Sequence, residues 1–162
     1  MSERVGVGYD SHRFAAGRPL RLGGVTVPHT HGLAGHSDGD AALHAIVDAL
    51  LGAAALGDIG THFRDDDPQW KGRDSVVFLK AARELLAARG LEPAQVDVTL
   101  LCERPKLAPH VPAMREATAK ALGLPVEAVS IKAKTNEGMG WVGKGEGIGA
   151  IAVATVRALA SP

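Results

Sequence analysis

Three residues stand out for what their side chains could do together. Asp10 and His12 lie two apart in the run Tyr9-Asp10-Ser11-His12, and on an extended backbone that spacing puts a carboxylate and an imidazole on one face. His44 sits in the apolar run 41–56, whose other ionisable residue is Asp48, one helical turn further on. Taken singly, an Asp-x-His pair reads as surface loop and a buried histidine as a packed side chain. Taken together they offer three hard-to-borderline ligands, two on a strand end and one on a helix, which suits zinc. Three nitrogen and oxygen ligands leave a fourth position open for chemistry, whereas a structural zinc would draw on cysteines that the chain lacks. Asp48 is placed to accept the second ring N–H of His44 and so to orient it.

A second group lies late in the sequence. The stretch 135–147 spends five glycines in thirteen residues and carries Glu137, with Lys134 just before it. Without the spacing of a P-loop or a dinucleotide fingerprint, such backbone reads alone as a mobile turn, though it permits close approach to phosphate oxygens. With a carboxylate beside it, it suits a diphosphate chelated to magnesium, which takes few protein ligands. Phosphoryl transfer in such a setting is mostly positioning and charge neutralisation, so no nucleophilic serine or cysteine is needed.

The elements that must hold these groups can be read in outline. Residues 5–9 form a short strand, and 19–22 and 25–28 flank Gly23-Gly24 as a hairpin. His29-Thr30-His31-Gly32 reads as solvated loop. The central helix runs over 41–56, capped by Ser37 or Asp38 and stopped by Gly57. Residues 61–68 are an acidic turn, and a helix capped by Asp74 or Ser75 runs to Gly90. A strand at 96–101, a helix at 111–122 ended by Gly123, a strand at 129–134 and a long strand from 148 complete the chain. Cys102 reads as packing, since no helix start or paired histidine lowers its pKa.

The 162 residues suffice for a single domain over 1–162. Eighteen basic and eighteen acidic residues cancel, which leaves no footprint for nucleic acid or an anionic membrane. No apolar run reaches membrane-spanning length, and a single cysteine fits a reducing compartment, so the cytoplasm is expected.

The motifs GYDSHRF, GHSDGDAALHAIVDALLGAAALGDIG, RPKL and KAKTNEGMGWVGKGEGI closely resemble the 2-C-methyl-D-erythritol 2,4-cyclodiphosphate synthase family. That resemblance implies an α+β protomer, a sheet covered by helices, assembled as a homotrimer with active sites between neighbours. It implies cyclisation of 4-diphosphocytidyl-2-C-methyl-D-erythritol 2-phosphate with release of CMP. Asp10, His12 and His44 match the family's zinc ligands, one ion per chain, and Glu137 matches the carboxylate that holds Mg2+ or Mn2+ on the diphosphate. His36 and Thr135 match positions that stabilise the transition state, with Ser37 beside His36. Asp58, Ile59, Gly60, Phe63, Asp65 and Asp67 match the methylerythritol pocket. Cys102, Pro105, Lys106, Leu107 and Ala108, with Lys134, match the cytidine and phosphate loops. Arg64, Trp141 and Lys144 depart from a frequent proline, phenylalanine and arginine. Trp141 and Lys144 fall where the family has a central pore that can hold isoprenoid diphosphates.

Overall fold

The computed structural model describes residues 2–160; Met1, Ser161 and Pro162, the ends of the expected domain, lie outside the described residues. The first strand, β1 (Arg4–Ala16), packs under the first helix, α1 (Ala41–Ala53), at a distance that only glycine allows. A Cβ on Gly6 would run into the carbonyl oxygen of Ala49, and one on Gly8 into that of Ala45. Period two then places Asp10 and His12 on this same helix-facing side, and His44 precedes Ala45 on the helix. Two glycines and an alanine-lined helix thus set the distance between the three candidate ligands.

The remaining elements follow as β2 (Leu20–Leu22), β3 (Val25–Val27), β4 (His31–Leu33), α2 (Ile59–His62), α3 (Val76–Ala87), β5 (Leu91–Leu101), α4 (Val111–Leu122), β6 (Val129–Lys134), α5 (Gly140–Gly143) and β7 (Gly147–Ala158). The main sheet has the order β4-β1-β7-β5-β6. Its β5–β6 pair is parallel and its other pairs are antiparallel. Parallel neighbours need a long crossover, which α4 supplies. The helices cover one face, where Val98, Leu100, Ile148, Ala150, Ala152 and Val156 join Leu43, Ile46 and Leu50 of α1 in one buried cluster. The chain is therefore an α+β domain with a mixed sheet packed by helices.

The β2–β3 hairpin forms as expected, its two-residue turn built from Gly23 and Gly24 at φ +63° and +79°. Other expectations shift. The cap of α1 is Asp40, not Ser37 or Asp38: its buried carboxylate accepts the N–H groups of Leu43 (3.1 Å), Gly23 (2.9 Å) and Gly24 (2.8 Å), which ties helix to hairpin. The helix ends at Ala53, before Gly57, because Ala55 takes the left-handed conformation and Leu56 N–H closes back on Leu51 O at 2.9 Å. The short strand expected at 5–9 extends to Ala16. His31 and Gly32 belong to β4, since the prolonged β1 pairs with them. The glycine-rich stretch folds into α5 and turns closed by their own hydrogen bonds, such as Glu146 N–H to Trp141 O at 3.0 Å.

Candidate functional site

At the end of α1, three donor atoms converge. His12 Nε2 lies 2.7 Å from Asp10 Oδ2, and His44 Nδ1 lies 3.1 Å from both. Zinc bonds of about 2.0–2.1 Å in a tetrahedron set ligand atoms about 3.3 Å apart; the two edges at His44 are within a few tenths of an ångström of that, and the 2.7 Å edge between Asp10 and His12 is about 0.6 Å shorter. The hydrogen bonding behind the triangle supports a cation. His12 Nδ1 lies 2.6 Å from the carbonyl of Ala34, which can only accept, so Nδ1 carries a proton and, in the neutral ring, Nε2 turns a lone pair on the Asp10 carboxylate. Lone pairs facing one another in a half-buried site need positive charge between them. The same need governs protons: burial pushes Asp10 up, but bonds to His12 and His44 prevail and hold its pKa down at about 2. Burial pulls His12 down, and the Asp10 carboxylate outweighs it, leaving the imidazole above its usual 6.5.

The triangle opens into a cavity of about 270 Å3. Of the residues singled out in the sequence, Asp10, His12, His36, Ser37, His44, Ile59, Gly60, Phe63 and Asp65 line it. Trp70 and Phe78 join them: Phe63 stands edge-on to Trp70 with ring centroids 5.2 Å apart and tilts against Phe78 at the same distance. Asp58 is exposed and caps α2 through its bond from Thr61 N–H at 2.9 Å. Asp67 caps the turn after it, and its carbonyl accepts from His36 Nε2 at 3.3 Å.

The loop that presents His36 is fastened at three successive carbonyls. Arg18 donates to Gly35 O (2.9 Å) and Ser37 O (2.5 Å), and Gly72 N–H donates to His36 O (2.8 Å). Nothing in the run around Arg18 marks it for this work in the sequence.

The late-sequence group assembles elsewhere. Cys102 and Leu107 are buried, while Lys106, Ala108, Lys134, Thr135 and Glu137 are exposed and Pro105 is half-buried. Cys102 N–H donates to Lys134 O at 2.9 Å. Glu103 joins the two loops, its carboxylate accepting from Asn136 N–H (3.0 Å) and Gly138 N–H (3.1 Å). Glu137 holds a left-handed φ of +53° between them. Burial, then the nearby Glu103 charge, pushes the Cys102 thiol up to about 11, so it is packing and not a nucleophile. Ser11, Gly149, Leu101 and Lys134 pair in sequence across β1, β7, β5 and β6, so these loops lie at the same end of the sheet as the metal triangle. Three strand spacings separate them within the chain, roughly 14 Å. Trp141 packs over Gly149 and lines a second hollow, of about 220 Å3, with Tyr9, Glu146 and the metal-side His12; Lys144 is exposed.

Asp48 does not take the place expected for it. Its carboxylate accepts the Ile59 N–H at 2.7 Å, and His44 Nε2 instead meets Ser75 Oγ at 2.8 Å and Ser37 Oγ at 3.2 Å. One-turn spacing brings Asp48 under His44, but the ring points its second nitrogen toward α3.

A two-layer α+β fold thus brings an Asp-His-His triangle, a group that could hold a metal ion, to a cavity where a ligand can reach it. The model of the YgbB family matches residues 3–157, and the chain belongs to that family. It is 58% identical over 157 residues to the 2-C-methyl-D-erythritol 2,4-cyclodiphosphate synthase of Dechloromonas aromatica, covering 97% of this chain and 98% of that one. A solved structure of a 2C-methyl-D-erythritol-2,4-cyclodiphosphate synthase superposes with a TM-score of 0.87 at 45% identity, over 95% of this chain and all (100%) of the other. A CDP complex of IspF from Plasmodium falciparum gives 0.85 at 30% identity, over 98% of each chain.

Proposed function

We propose that this protein is a cyclodiphosphate synthase of the non-mevalonate isoprenoid pathway, converting 4-diphosphocytidyl-2-C-methyl-D-erythritol 2-phosphate to 2-C-methyl-D-erythritol 2,4-cyclodiphosphate and CMP. The observation that carries this reading is the Asp10-His12-His44 triangle at a cavity walled by His36, Ser37 and the 59–65 segment, in a chain so similar over its length to named synthases. In the reaction a 2-phosphate oxygen bonds to the β-phosphorus as the bond from that phosphorus to the α–β bridging oxygen breaks, and the electron pair leaves with CMP. No water is consumed.

Asp10, His12 and His44 hold one zinc per chain, and Glu137 helps hold Mg2+ or Mn2+ on the substrate diphosphate. When bound, these ions would neutralise phosphate oxygens and polarise the β-phosphorus. His36 and Thr135 steady the charge that moves from nucleophile to leaving group, with Ser37 beside His36. Ile59, Gly60, Phe63 and Asp65, flanked by Asp58 and Asp67, receive the methylerythritol part and exclude solvent around it. The backbone of Cys102, Pro105, Leu107 and Ala108, with the cations of Lys106 and Lys134, receives the cytidine and its phosphates. Holding both ends of one folded substrate supplies the effective molarity that ring closure needs.

The assembly is a homotrimer with shared sites, each protomer a single catalytic domain in the cytoplasm. The sheet face away from the helices supports association. Val5, Val7 and Tyr9 on β1 are 67%, 68% and 55% exposed and stand opposite Thr155, Val153 and Ile151 of β7, a contiguous and largely apolar row of the kind that marks an interaction surface. The separation of the two loop groups across the sheet supports a site completed by a neighbour. Among the described residues no helix is long and apolar enough to cross a membrane. Incubation with the substrate and Mg2+, followed by phosphorus NMR, tests the proposal: CMP and the cyclic diphosphate are expected, and linear phosphates would overturn it in favour of a phosphodiesterase.

A further inference from the structure

His44 reaches the metal triangle with its Nδ1, and its Nε2 ends a short chain of polar groups, Ser75 and Asp38, that are not themselves candidate ligands. Ser75 is fully buried at the start of α3, in the position where a serine hydroxyl ordinarily caps the helix, yet it makes no capping bond. Asp74 takes over the Val76 N–H at 3.0 Å. The Ser75 hydroxyl lies instead between His44 Nε2, at 2.8 Å, and Asp38 Oδ1, a very close partner. The Asp38 carboxylate also accepts the N–H groups of Ser75 (2.9 Å) and Asp40 (3.1 Å), so it acts throughout as an acceptor. A hydroxyl has one proton to give. Given to Asp38, it leaves Ser75 Oγ as an acceptor toward His44, and the proton in that bond must sit on His44 Nε2.

We infer that Asp38 and Ser75 are positioning residues for the metal centre: the Asp38–Ser75–His44 relay fixes the tautomer of His44 with Nε2 protonated and Nδ1 bare toward Asp10 and His12. The inference rests on the zinc reading above. Ser37 Oγ, 3.2 Å from the same nitrogen, accepts the weaker share of that N–H and keeps its own proton free for a ligand in the cavity. The carboxylate therefore orients the ligating histidine through a hydroxyl, from a different element than the one on which the histidine sits.

Zinc-loaded protein with nitrogen-15 histidine gives the first test. The expected result is a His44 bound through Nδ1, with an Nε2 proton that exchanges slowly. Coordination through Nε2, or an N–H exchanging as fast as an exposed imidazole, would overturn the relay without any variant being made. Chelator competition on Ser75→Ala, Asp38→Asn and the double variant gives the second. Ser75→Ala should raise the zinc dissociation constant about ten- to a hundredfold. The double variant should bind no more weakly than Ser75→Ala alone, because Asp38 acts through that hydroxyl. Losses that multiply, or single variants that bind like the parent, overturn the inference while the zinc reading stands. A parent protein that takes up no zinc overturns both.

Discussion

The Asp48 carboxylate accepts the Ile59 N–H at 2.7 Å and so pins the start of α2, and the cavity wall that it begins, to the side of α1. Asp48→Asn should therefore leave the zinc constant within about twofold while loosening residues 59 and 60, since a bond from a backbone N–H to a charged acceptor contributes more than one to an amide. Steady-state kinetics should show the loss in KM. A zinc constant weakened tenfold or more would return Asp48 to the service of His44.

Without metal, stability should follow the protons of the triangle. His12 is raised above its usual 6.5, so its contribution is complete below that value and is lost as pH rises through the folded one. Asp10, held at about 2, contributes above its usual 3.8 and loses that only as pH falls from 3.8 toward 2. The melting temperature in chelator should thus decline as pH rises above about 6.5, whereas the increment added by zinc should grow, because the metal needs neutral imidazoles. Thermal scans across pH with and without zinc decide it. Parallel curves would sink the expectation.

Two glycine variants should move stability in opposite directions. Gly8→Ala drives a methyl against the Ala45 carbonyl of α1, a backbone atom that cannot swing aside, and should cost about 3 kcal/mol or more. Gly52→Ala, on the same helix, meets nothing closer than Val7 O at 4.0 Å and should stabilise by about 0.5–1 kcal/mol. Urea denaturation measures both. Equal effects would mean that α1 does not rest on β1 as tightly as described.

Sharing of the active site can be read by mixing. His44→Ala, dead at the metal, and Lys106→Ala with Thr135→Ala, dead at the nucleotide loops, should each be inactive, and elemental analysis should find zinc in the second but not the first. Unfolded and refolded together in equal amounts, they should recover activity at about a quarter of interfaces, those pairing an intact metal side with an intact nucleotide side. If mixed trimers form and stay inactive, each site is built within one chain.

Most of the scaffold was legible because its signals are local. The Gly23-Gly24 turn needs left-handed φ, the run ended by Gly123 is a helix from Val111 to Leu122, and β6 spans 129–134 as read. The members of the triangle were legible one by one, as a period-two pair on a strand and a histidine in an alanine-rich helix; what joined them across β1 and α1 was their shared ligand chemistry, not their spacing. Residues that act across elements were not. Arg18 reaches seventeen residues ahead to Gly35, Glu103 reaches thirty-five ahead to Gly138, and Ser75 lies thirty-one from His44. No period links such positions, and each carries an ordinary local explanation that hides the distant one. Asp48 failed in the converse way, since spacing gives the height of a side chain on a helix but not the rotamer of the ring above it.

The ladder between β1 and β7 begins with Arg4 opposite Val156 and runs inward past Asp10 opposite Ala150 to His12 opposite Ile148. Tension applied between residues near the two ends would load this ladder one rung at a time, as in unzipping, rather than shear all its bonds together. The outer rungs would part in turn until the peeling front reached the metal ligands, where zinc would clamp β1 to α1. A single-molecule pull should show a force step at that point that a chelator removes, making the metal centre a mechanical stop as well as a chemical one.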